Sequence, residues 1–263
     1  MDDPLPLPLL LQNKPSAYET DTKQSVETAH GTLHTFDAES QIAPSCPSFS
    51  GLRLYLDAIT VNEEREILAE IEQFPFALAQ SGKEKQHFGA KVNFNKRRMN
   101  AKDFHGLPRL AKWVEDRARK HIEADTTTDN PAMRALSTFK TTDYFTLRYS
   151  EKEGSNLDFH TDDRFGYGEA IIDLSLQSDS VLTFIRKRPG KDSVDCVRAA
   201  LPARSIAFLY GDARFKWEHA LLAYDISGTR TSVTLRTLSD ELRTTEAGQD
   251  VLRRADQQIV PEP

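Results

Sequence analysis

Cysteine is scarce in this chain, at 2 of 263 residues, Cys46 and Cys196. Two thiols so far apart form neither a disulfide framework nor a cysteine-based zinc site. Free thiols point to a reducing, intracellular compartment. Long apolar runs are missing too, so no membrane-spanning helix is expected. The N-terminus opens on Asp2 and Asp3 rather than basic residues, and Pro4, Pro6 and Pro8 break its short apolar stretch. No secretory signal is expected from that pattern. An excess of positive charge is also absent, with 34 Lys and Arg against 40 Asp and Glu, a net charge of −6. The surface as a whole is not built for polyanions, and contact with nucleic acid would need a local basic patch.

What is present fits one domain of about 200 residues with tails. Hydrophobic residues make up 38%, charged residues 28%, and mean hydropathy is −0.54. Residues 1–48 are rich in Pro, Ser, Thr and His without a sustained period, and are expected to be a disordered tail. Residues 246–263 are expected to be a polar C-terminal tail, leaving 49–245 as the folded domain. Leu52, Leu54 and Leu56 alternate as in a strand. Thr60 and Glu63 have capping-box spacing ahead of Ile67, Leu68, Ile71 and Phe74, which predicts a helix ended by Pro75. A second amphipathic helix is predicted over 107–123. From about 138 the period changes to two, predicting strands at 143–150, 170–177, 180–186, 193–199, 204–210, 218–224 and 229–238. Helices followed by many short antiparallel strands indicate a mainly β or α+β fold. The expected form is a two-sheet jelly roll with the N-terminal helices packed on one sheet.

Residues 158–163 read Asp-Phe-His-Thr-Asp-Asp. In extended chain His160 and Asp162 share a side, roughly 7 Å apart at their α-carbons, and Asp163 points away. Of the remaining histidines, His219 lies in a predicted strand of the same strand-rich half. Two His and one carboxylate form the facial triad of non-haem Fe(II) oxygenases. The same set also ligates zinc in hydrolases, and an interaction module recruiting partners through the tail is a further alternative.

The segment 229–238 sharpens this. Arg230, Ser232, Thr234 and Arg236 alternate with Thr231, Val233 and Leu235. On a strand the polar set lines one face, with the two arginine α-carbons roughly 20 Å apart. An arginine fork holds a carboxylate bidentately and stays charged. Arg230 is the choice for the distal end of a dicarboxylate. Arg236 serves the metal end or braces Asp162, and Tyr149 offers its hydroxyl to the same carboxylate. A zinc hydrolase gives these arginines no role.

His-x-Asp, a distant His and Arg-(five residues)-Arg together resemble the motif of the AlkB dioxygenase family. The segments FALAQSGKEKQHFGAKVNFNKRRMNAKDFHGLPR (76–109), PARS (202–205) and ARFKWEHA (213–220) resemble its homologue 4 branch. The resemblance spans about 50–245. It implies a double-stranded β-helix, Fe(II), 2-oxoglutarate and O2 as cofactors, and oxidative removal of N-methyl groups. The branch implies monomethyl-lysine of actin or N6-methyladenine of DNA as substrate, in cytoplasm and nucleus; a monomer is expected. Region 76–105 corresponds to the substrate lid, with Lys85, Gln86, Phe88, Lys91, Phe94, Lys96, Arg97 and Arg98 as candidate contacts. There are departures. Leu147 stands where the family often has Asn two residues before Tyr149. Ser232 stands where Asn is common. A cysteine cluster near the start, frequent in the branch, is missing.

Overall fold

The computed structural model describes residues 25–125, 130–189 and 193–261, together with Leu11. In chain order the N-terminal half contains β1 (Val26–Thr28), β2 (Gly31–Thr35), β3 (Leu52–Tyr55), α1 (Val61–Ile71), β4 (Ala77–Leu78), β5 (Glu84–Gly89), β6 (Lys91–Asn93), β7 (Arg98–Asn100), β8 (Leu107–Pro108), α2 (Arg109–Ala124) and α3 (Pro131–Ser137). The C-terminal half contains β9 (Asp143–Ser150), β10 (Leu157–His160), β11 (Tyr167–Leu176), β12 (Ser180–Lys187), β13 (Val194–Leu201), β14 (Ile206–Leu209), α4 (Gly211–Phe215), β15 (Glu218–Leu221), β16 (Thr229–Leu238), α5 (Asp240–Arg243), α6 (Glu246–Arg254) and β17 (Gln258–Ile259).

The strands form two large sheets, ordered β1-β2-β13-β12-β15-β10 and β3-β14-β11-β16-β9-β5-β4. This is the double-stranded β-helix, with α1, α2 and α3 covering the second sheet. The α1 capping box forms as the sequence predicts: Thr60 accepts from the Glu63 amide and Glu63 reaches back to the Thr60 amide. One face of α2 buries Leu110, Ala111, Val114, Ala118 and Ile122 against Ile172, Leu174, Ile206, Phe208, Val233 and Leu235 of the sheet. Burying each large side chain there contributes roughly 1.5–3 kcal/mol. A second core, between the two sheets, contains Phe49, Leu54, Tyr149, Ile171, Phe184, Val197 and Trp217. Strand alternation divides the two cores, so adjacent Ile171 and Ile172 belong to different ones.

Two boundaries differ from the sequence expectation. The stretch from 25 to 48, read as tail, is folded. β2 pairs in parallel with β13, and Leu33, Phe36, Ala43 and Cys46 are buried. The apolar residues there are too widely spaced to show a period, but Phe36, Ala43 and Cys46 pack into the inter-sheet core and Leu33 packs with Phe159, Ile185 and Cys196. At the other end α6 buries Val251, and β17 pairs with β8. The charged outer face of α6, with Glu246, Asp250, Arg253 and Arg254, makes the segment look polar in sequence. Residues 1–10 and 12–24 lie outside the described residues. Cys46 and Cys196 are free and buried. No helix among the described residues is long and apolar enough to cross a membrane.

Candidate active site

β10 and β15 pair antiparallel, with His160 directly opposite His219. That register sets the imidazoles side by side, 4.4 Å between ring centres. The strand ends at His160, so Asp162 is placed by the turn that follows rather than by the strand itself. Its carboxylate lies 3.5 Å from His219 Nε2. One ligand atom from each of His160, Asp162 and His219 lies within 4.8 Å of the others. Asp163 faces away and accepts from the Gly166 amide at 2.8 Å.

The surroundings prepare this trio to hold a cation. His160 Nδ1 is 2.8 Å from the Asp158 carbonyl, to which it donates, leaving the Nε2 lone pair for a metal. Burial, and next the neighbouring His160, push His219 down to about 3, so its ring is neutral at physiological pH. Burial of Asp162 opposes its ionisation, but Arg236, His219, His160 and Arg214 outweigh that and hold its carboxyl well below the usual range. Arg236 Nε donates to Asp162 Oδ1 at 2.6 Å. Two imidazoles and one ionised carboxylate are the donor set suited to Fe(II).

Behind the trio lies a cavity of about 160 Å³ between the two sheets. Leu147, Leu157, Leu182 and Leu221 form its apolar wall. Tyr149, Asp173, Arg230, Ser232, Thr234 and Arg236 form its polar wall. The polar face of β16 is therefore not a solvated face: Arg230 is 0% and Ser232 2% exposed. Val233 and Leu235 point into the helix-side core. The two arginines serve opposite ends, Arg236 at Asp162 and Arg230 beside Tyr149, its guanidinium 5.3 Å from the ring centre. Arg230 Nε and Nη1 are buried without a partner. A buried donor of this kind costs about 1–3 kcal/mol, and an enclosed anion would satisfy it. Burial pushes the Tyr149 phenol up to about 12, so it stays a neutral donor. The pocket thus fits a small diacid reaching from the metal to Arg230.

No family model matches the chain. Human alpha-ketoglutarate-dependent dioxygenase alkB homolog 4 is 33% identical over 237 residues, covering 79% of this chain and 74% of that protein. The mouse protein of the same name is 30% identical over 79% of this chain and 75% of its own. A Caenorhabditis elegans DNA N6-methyl adenine demethylase is 30% identical over 71% of this chain and 59% of its own. The chain belongs to the AlkB family. It is an Fe(II)- and 2-oxoglutarate-dependent dioxygenase, and its cofactors are those with O2.

Three residues that sequence reasoning did not single out complete the dioxygenase's site. Arg214 of α4 is fully buried and donates to the Asp162 carbonyl at 2.7 Å and the Asp163 carbonyl at 3.2 Å, fixing the turn that carries the third ligand. Asp143 sits opposite Arg236 in the β9–β16 register, 3.2 Å from its Nη1, and binds His87 at 2.6 Å on its other side. Asp173 interrupts the apolar run 171–176, a signal that was visible in the sequence.

The candidate lid residues divide between a strand of the second sheet and a separate hairpin. Lys85, Gln86 and Phe88 belong to β5, a strand of the second sheet beside β9. Gln86 is buried and donates to the Ile71 and Phe74 carbonyls at the end of α1. Phe88 packs edge-on against Phe74 and Tyr144. Gln86 and Phe88 are thus structural, because α1 needs its terminal carbonyls capped and its apolar face closed. The β6–β7 hairpin is what approaches the site: Phe94 lies 6.1 Å from the Tyr167 ring, itself 5.0 Å from the Arg236 guanidinium. On it Lys91 pairs with Asp103, and Arg97 pairs with Glu241 and covers the Phe165 ring. Lys96 and Arg98 are exposed.

Proposed function

We propose that this dioxygenase oxidatively removes N-methyl groups, with iron held by His160, Asp162 and His219 and the distal carboxylate of 2-oxoglutarate held by Arg230, Tyr149 and Ser232. The observation that carries the reading is one buried cavity with a three-ligand cation site at its mouth and an arginine with two unpartnered donors at its closed end. When bound, iron with 2-oxoglutarate and O2 supplies an oxidant that hydroxylates an N-methyl carbon, after which formaldehyde leaves; 2-oxoglutarate becomes succinate and CO2. The chain's residues do the positioning. Arg236 keeps Asp162 ionised and aimed, Arg214 fixes its turn, and the leucine wall excludes water from the co-substrate.

N6-methyladenine in DNA is the substrate favoured by the exposed Lys96 and Arg98 near Phe94, and by the relative named for that activity. A methylated lysine of a protein such as actin is a second reading. It is favoured by the ion pairs of Lys91 and Arg97, which leave less positive charge for a phosphate backbone. A turnover screen against methyl-lysine peptides and N6-methyladenine DNA separates the two. His160→Ala and Asp162→Ala are expected to abolish coupled succinate formation on either, and full turnover by either variant would remove the site assignment.

A further inference from the structure

Asp173 lies in the middle of β11, where its neighbours Ile172 and Leu174 are fully buried and Ile171 nearly so. It is in register with Thr234 of β16, which puts both side chains on the cavity side. Thr234 Oγ1 donates to Asp173 Oδ1 at 2.8 Å, and Arg230 Nη2 is 3.3 Å from Asp173 Oδ2. One carboxylate therefore already balances the cation at the closed end of the pocket. Arg230 is not saturated as a donor, because Nε and Nη1 have no partner. Its charge, however, is matched.

We propose that Asp173 sets the affinity and selectivity of the pocket for its co-substrate by competing with the distal carboxylate for Arg230; this rests on the reading that Arg230 receives that carboxylate. A diacid entering the pocket places a second carboxylate on one guanidinium, shielded from bulk water. Like charges so close raise the free energy of the bound state. The fork geometry accepts the diacid while the charge balance resists it. A 2-oxo acid with an uncharged end meets no such resistance. The pocket therefore binds 2-oxoglutarate more weakly, and distinguishes it less from neutral-ended analogues, than the arginine alone would.

Calorimetric titration of 2-oxoglutarate and of 2-oxovalerate into the Mn(II)-loaded protein, which does not turn over, tests this. Asp173→Asn keeps the volume and an acceptor for Thr234. It is expected to tighten 2-oxoglutarate about tenfold or more and to leave 2-oxovalerate within about twofold, widening the ratio between them. In turnover the KM for 2-oxoglutarate falls by a similar factor. Weaker 2-oxoglutarate binding, or equal tightening of both acids, would overturn the proposal. Asp173→Ser serves as a second variant, with thermal melting to verify that each folds. Arg230→Gln separates the two levels. If it leaves 2-oxoglutarate affinity intact, the underlying assignment of Arg230 fails. If it abolishes that affinity while Asp173→Asn gains none, only the role of Asp173 fails.

Discussion

Replacing Arg236 by Met removes the one cation shared by two buried carboxylates. In the wild type its Nε lies 2.6 Å from Asp162 and its Nη1 3.2 Å from Asp143, and both acids are only 5% exposed. Asp143 retains His87, but Asp162 keeps no guanidinium on its carboxylate, since Arg214 serves backbone carbonyls. Breaking a buried pair from one side costs about 3–5 kcal/mol. For a chain of this size each kcal/mol is worth about 2–4 °C, so the metal-free variant should melt roughly 6–20 °C lower. The pH dependence follows from the sign of the shift. The wild-type Asp162 carboxyl is held below its ordinary range, so it contributes stability above that range and loses it as pH falls through the folded value. Without Arg236, burial dominates and lifts the folded value above the unfolded one. The ionised group is then destabilising at pH 7 and relieved as pH falls. The gap in Tm should be widest near neutrality and shrink towards about pH 4. Saturating Mn(II) should also narrow it, because the ion takes over the missing positive charge. Calorimetric melts of wild type, Arg236→Met and Arg236→Lys across that range are the assay. A Met variant that melts within about 2 °C of wild type, or a gap independent of pH, would refute the reasoning.

Mn(II) at a hundredfold excess over its Kd should stabilise the wild type by about 2.7 kcal/mol and leave His219→Ala unmoved, read as a thermal shift. Removing residues 1–49 takes away β2 with Leu33, Phe36 and Phe49, roughly 5–9 kcal/mol of burial. That is comparable to the whole stability of a domain, so the truncated chain should be unfolded by circular dichroism; a cooperative melt would return the segment to the status of a tail. Thr60→Ala, which breaks the α1 capping box, should cost about 1 kcal/mol by urea denaturation. Charge reversal at Lys96 and Arg98 should weaken binding to N6-methyladenine DNA and flatten its salt dependence, while methyl-lysine peptide turnover is unaffected if DNA is the substrate.

Much of the site was legible because its geometry is local. His160 and Asp162 are two residues apart, and the alternation of Arg230, Ser232, Thr234 and Arg236 shows itself in any extended strand. The strand at 229–238 and the helix after Thr60 were readable for the same reason, since period and caps are properties of neighbouring residues. The lid candidates fall on two different elements. Composition grouped Lys85, Gln86 and Phe88 with the basic stretch that follows, but the pairing of β5 with β9 assigns them to the sheet. The folded segment from 25 to 48 was missed because its partners, β13 and the inter-sheet core, lie far along the chain.

By itself the sequence determined the kind of chemistry: which side chains could ligate a metal, which strand could present two guanidinium groups, and where helices give way to strands. Only the tertiary structure decided that the polar face of that strand is buried, that His160 and His219 stand in register, and that Asp143, Asp173 and Arg214 share the site. Periodicity gives the side on which a residue projects, while burial and charge balance depend on what another part of the chain brings to that side. Asp173 shows the difference: along the strand it is one acid among apolar residues, and in the fold it is the counter-charge of Arg230.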